Sequence, residues 1–83
     1  MKLYVVTYVE INSYTDESIH VRNEVTATMQ DAVTRVRMFK NIVVTHVKQN
    51  RGDLDMITFS DDLIEGSDLN GLEFKVCINE VEL

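Results

Sequence analysis

Lys2 to Asn12 (KLYVVTYVEIN) is apolar on both faces of the strand that it predicts. Side chains alternate along a strand, so Leu3, Val5, Val9 and Ile11 share one face and Tyr4, Val6 and Tyr8 the other. Such a segment needs cover twice. It belongs in the middle of a sheet, with the core against one face and something else against the other. The rest of the chain is constrained by what it can supply as that cover.

Ser13 to Ser18 is polar and reads as a hairpin connection. Ile19 to Ala27 then alternates, which predicts a half-buried strand with Ile19, Val21, Val25 and Ala27 inward and His20, Arg22, Glu24 and Thr26 outward. Thr28-x-x-Asp31 is a capping-box variant, with a hydroxyl to accept an orphan amide and a carboxylate at the positive end of a helix. Met29, Ala32, Val33, Val36 and Phe39 follow as one apolar stripe, while Asp31 and Arg35 are spaced as an exposed i,i+4 pair. Arg37 and Lys40 suit the C-terminal end, and Asn41 is the predicted stop.

Ile42 to Gln49 is a β-branched run, Asn50 to Asp53 a turn and Leu54 to Phe59 a return strand, which together predict a second hairpin. Ser60 reads as the cap of a single helical turn and Gly66 to Gly71 as loop. Leu72 to Leu83 is a last strand, with Phe74, Val76 and Ile78 on one face. The expectation is an α+β fold of about five strands in the order β-β-α-β-β-β, forming one sheet with one amphipathic helix on one face. One helix leaves the other face open. Tyr4, Val6 and Tyr8 are expected there, as an apolar stripe on which a partner or a second copy would dock. A competing arrangement folds the last strand and Asp61 to Leu69 over it.

At 83 residues the chain is a single domain, residues 1–83, and its 45% hydrophobic content is that of a folded protein. Cys77 is the only cysteine, so packing rather than an internal disulfide must stabilise the fold. Leu3 to Val9 is too short and too mixed for a signal-peptide core or a membrane span, which points to a cytoplasmic protein without membrane contact.

Charge is divided along the chain. Gly52 to Leu83 holds nine carboxylates against Lys75 alone, whereas Val21 to Arg51 carries Arg22, Arg35, Arg37, Lys40, Lys48 and Arg51 against Glu24 and Asp31. Asp53, Asp55, Asp61, Asp62, Glu65 and Asp68 are the carboxylates expected to project together toward a basic partner. The rival expectation is that the basic stretch neutralises them within the fold. A net charge of -6 disfavours direct binding to nucleic acid through Arg35 to Arg51.

The residues that carry chemistry form no recognisable set. His20 reads as solvated, His46 as a satisfied sheet residue and Cys77 as inert packing, with no spacing suited to a metal. Asp53 and Asp55 lack the third acid, the Gly and the closing Glu of a calcium loop. The three glycines are scattered, so no phosphate loop exists, and Gly52 is expected to serve the Arg51-Gly52-Asp53 turn by adopting a positive φ. No catalytic, cofactor or metal site is expected, and the protein is not read as an enzyme.

Taken together, YVVTYVEINS, a second strand, the capped TMQDAVTRVRMFKN helix and a following hairpin resemble the small ββαββ proteins of phages and mobile elements, among them anti-CRISPR inhibitors. The resemblance is one of element order from Lys2 to about Phe59, and no residue role follows from it. It implies a non-enzymatic inhibitor that occupies a host protein or ribonucleoprotein, by occlusion or as an acidic mimic of nucleic acid. A homodimeric structural protein is the alternative, and a nucleic-acid binder the third reading.

Overall fold

The computed structural model describes residues 1–13 and 18–83 and places Lys2–Asn12 (β1) in the interior of a five-stranded antiparallel sheet. Ser18–Thr26 (β2) pairs along one side of β1, with Val5 opposite Val25, Val9 opposite Val21 and Ile11 opposite Ile19. Most of the expected Ser13 to Ser18 connection lies outside the described residues. Leu72–Glu82 (β5) pairs along the other side of β1, Lys2 opposite Glu82 and Asn12 opposite Leu72. Leu63–Ser67 (β4) and Ile57–Phe59 (β3) complete the order β2-β1-β5-β4-β3. One helix, Met29–Gln49 (α1), lies on one face. The chain is therefore α+β, a single sheet with a single helix.

The helix begins as predicted, since Thr28 Oγ1 accepts the Asp31 amide at 3.1 Å. It does not stop at Asn41. The expected strand at 42–49 is its second half, because Val43 and Val47 extend the stripe of Ala32, Val36 and Phe39 at helical spacing and both are fully buried. Burial outweighs the modest helix penalty of β-branched residues, a few tenths of a kcal/mol each. Thr45 Oγ1 donates to the carbonyl of Asn41 at 2.8 Å, one turn back, as Thr34 does to Gln30 at 3.0 Å.

The helix ends at Asn50, and the left-handed residue is Arg51 (φ 55) rather than Gly52. Gly52 serves space instead. A Cβ there would lie 2.5 Å from the Asp68 side chain, and the Gly52 amide closes the helix onto the carbonyl of Val47 at 2.9 Å.

Leu54–Met56, expected as strand, is a short 3-10 turn capped by Asp53, whose carboxylate accepts the Asp55 amide at 2.9 Å. Ser60 does not cap a helix; its amide donates to the carbonyl of Leu63 at 2.9 Å and tightens the β3–β4 turn. Residues 63–67, of which 66 and 67 were expected in a loop, form β4. Gly66 permits this: it has φ 149, and a Cβ would meet the Met56 carbonyl oxygen at 2.5 Å. The strand count agrees with expectation, although strand was predicted at 42–49 and is formed at 63–67.

Beneath the helix the sheet contributes Val6, Tyr8, Ile64, Leu72, Phe74 and Val76 to the core. Tyr8 and Phe39 stack at 5.0 Å between ring centroids. Tyr4, Val6 and Tyr8 thus form the covered face of β1. Val6 is fully buried and Tyr8 only 4% exposed, against the expectation of an open docking stripe. The same inversion applies to β2, where His20, Arg22, Glu24 and Thr26 stand on the helix side, opposite Glu10, Tyr8, Val6 and Tyr4. Among the described residues no helix is long and apolar enough to cross a membrane.

Candidate functional site

With the helix over Tyr4, Val6 and Tyr8, the other apolar set of β1 has no element packed over it among the described residues. Leu3, Val5, Val9 and Ile11 face outward. On β2 their neighbours Val25, Val21 and Ile19 are 62%, 55% and 68% exposed. On β5, Val81 stands opposite Leu3 and Cys77 opposite Thr7, and Leu63 of β4 adds to the same surface opposite Cys77. Val5–Val25, Val9–Val21, Ile11–Ile19 and Leu3–Val81 are cross-strand aliphatic pairs of the kind that stabilise a sheet when buried, with the polar pair Thr7–Asn23 between the first two and Asn79, Lys75 and Glu73 opposite Val5, Val9 and Ile11 on β5. Scattered exposed aliphatics are ordinary, but a contiguous face of them marks a docking surface.

The six carboxylates chosen from the sequence do not gather. Asp68 is completely buried and accepts the amides of Asn70 and Leu72 through Oδ1, at 2.8 and 3.0 Å, and the Asn50 side chain through Oδ2 at 2.9 Å. It is a structural hub and cannot contact a partner. Asp53 caps the 3-10 turn with exposed Asp55 beside it, while Asp61 and Asp62 occupy the β3–β4 turn. Glu65 lies on the open face of β4, opposite Lys75. Among the described residues no three His, Cys, Asp or Glu side chains converge as metal ligands.

Neutralisation by the basic stretch is equally limited. Arg35, Arg37, Lys40 and Lys48 stand exposed along α1, with Arg51 just beyond it. Arg35 pairs with Glu24 of β2 at 3.4 Å, and Lys40 lies 5.4 Å from the centroid of the Phe59 ring. Only Arg37–Asp61, at 3.9 Å and exposed on both sides, joins the basic stretch to the acidic last third among the described residues. Such a pair adds little stability.

No family model, curated protein or solved structure matches this chain. The site therefore rests on geometry. The order of two strands, a helix and a hairpin is present, with the hairpin at 57–67 instead of 42–59, and an element order does not specify a function.

A second polar cluster escaped the sequence reading. Glu10, only 7% exposed, accepts the Tyr8 hydroxyl at 2.8 Å through Oε1, and the same oxygen meets His46 Nδ1 at 2.5 Å. The cluster ties α1 to β1 between two small cavities, of about 290 and 230 Å³, both lined in part by Glu10 and His46. Its signal in the sequence was a Glu breaking the apolar pattern of the first strand and a His on a segment read as strand. Once 42–49 is helical, His46 falls between Val43 and Val47 and reaches the sheet.

Tyr8 holds its proton well above the ordinary phenol range. Burial is the main cause, followed by the hydrogen bond to Glu10 and the negative charge of Glu10, with Arg22 opposing. The unfolded chain therefore ionises first. The contribution to stability is complete below about pH 10 and is lost as pH rises above it. Tyr8→Phe is expected to lower stability at pH 7 by about 1 kcal/mol through the lost hydrogen bond, and to flatten the alkaline decline. Urea melts at pH 7 and pH 10.5 test this: parallel losses in wild type and variant would refute it.

Proposed function

We propose that this protein is a non-enzymatic binding module that engages another polypeptide through the open face of its sheet. The observation that carries the reading is the uncovered row of aliphatic pairs, Val5–Val25, Val9–Val21 and Ile11–Ile19. Dispersal of the carboxylates speaks against a nucleic-acid mimic, which needs a continuous line of negative charge. Occlusion of a host complex, as the resemblance implies, is one use of an apolar face.

The driving force is then apolar burial, which salt does not screen. Immobilised wild type is expected to retain polypeptides in 1 M NaCl, either added soluble copies of this chain or proteins of a bacterial lysate, and a Val5→Lys/Val21→Lys variant, shown to be folded by circular dichroism, to release them. Asp61→Asn/Asp62→Asn should behave as wild type. Equal retention by wild type and the lysine variant overturns the proposal; retention that salt and the asparagine variant both abolish returns the site to the acids.

A further inference from the structure

We infer that the occupant of the open face is a second copy of this chain, packed sheet against sheet around a two-fold axis; this rests on the open-face reading above and names its partner. The first argument is area. Two central strands of 11 residues and a width of five strands give a face of up to about 700 Å² at ordinary strand spacings. That approaches the roughly 800 Å² that each partner contributes to a stable interface.

Composition separates a second copy from an unrelated partner. Tyr4, Tyr8, Phe39, Phe59 and Phe74 all lie in or against the core, and the described residues of the open face include no aromatic side chain and no arginine. Interfaces between unlike proteins are anchored by Tyr, Trp and Arg. The aliphatic part of this face is interspersed with Thr7, Asn23, Asn79, Glu73 and Lys75, and resembles the half-core of an obligate assembly more than an aromatic-anchored contact between unlike proteins. Two such sheets pack about 10 Å apart as a sandwich.

Charge points the same way. Although the chain carries -6 overall, the charged residues of the face among those described are Glu65, Glu73 and Lys75, and none of the three has an ion pair among the described residues. Lys75 stands between Glu65 across the β4–β5 pair and Glu73 two residues back on β5. A two-fold axis passing beside Lys75 would set the cation of each copy against the anions of the other.

Analytical ultracentrifugation from about 1 to 200 µM tests this with wild type, Val9→Lys on the face and Thr45→Lys on the outer side of α1. Wild type and Thr45→Lys should sediment as dimers, and Val9→Lys as a folded monomer with self-affinity reduced about 100-fold or more. Alkylation of Cys77 on the same face needs no substitution and should slow as wild-type concentration rises. A wild-type monomer whose Cys77 reacts at one rate throughout overturns the second copy; if it still retains polypeptides that Val9→Lys loses, the open-face reading stands. A dimer that survives Val9→Lys overturns both.

Discussion

Asp68→Ala is expected to unfold a large fraction of the protein at room temperature. The carboxylate is fully buried and every group it meets is a donor: the amides of Asn70 and Leu72 and the side-chain amide of Asn50. Removing it takes the acceptor from all three at the junction of the helix end, the 68–71 bend and the start of β5, with the Leu72 amide buried and Asn50 Nδ2 left only its bond to the Asn70 carbonyl. Each such loss costs about 1–3 kcal/mol. A total of about 3–5 kcal/mol is a large part of the roughly 4–12 kcal/mol available to a domain this size. The urea midpoint should fall by about 2 M or more. Asp68→Asn keeps the Oδ1 acceptor but turns an amide toward Asn50, so its loss should be about half as large. A midpoint for Asp68→Ala indistinguishable from that of wild type would show that the hub contributes nothing.

The second large effect discriminates helix from strand at 42–49. Val43→Asp should abolish folding, because it places an unpaired carboxylate beneath the sheet at a fully buried position, at a cost of about 4 kcal/mol or more. Thr45→Asp should cost no more than about 1 kcal/mol, since Thr45 faces solvent and loses only its bond to Asn41 and some helix preference. A strand would put residues 43 and 45 on one face and make the two substitutions equivalent. Thermal melts of both variants decide the point, and comparable destabilisation would contradict the helix.

Local patterns proved readable where a single element determined the answer. The alternation in Lys2 to Asn12 and the Thr28 cap each produced the predicted element. Reading failed where two outcomes share one local pattern. Val43 and Val47 suit a strand by residue type and a helix by spacing from Phe39, and only the sheet they pack against decides. Gly66 lies in a segment with too few apolar residues to signal a strand, yet its lack of a Cβ admits the backbone of Met56. The inverted faces of β1 and β2 have a related origin: alternation groups Leu3 with Val5 and Tyr4 with Val6, but not which group the helix will cover. Tyr8 stacking on Phe39 and the Glu10–His46 contact settle it, and both are long-range. Asp68 misled for the opposite reason, because its charge suggested a surface while its neighbours Asn50 and Asn70 prepared a buried site.

Pairing of β1 with β5 carries a consequence for how the chain reaches this fold. The two strands that form the middle of the sheet lie at opposite ends of the sequence, with Tyr8 opposite Val76, roughly seventy residues apart. The β1–β2 and β3–β4 hairpins are local and can close early, but each lacks half of the surface that α1 covers. A chain stopped before Leu72 would keep the helix and both hairpins and still have no centre. Assembly of the core is thus a late, long-range event, and until it occurs the aliphatic residues of both faces of β1 stand open together.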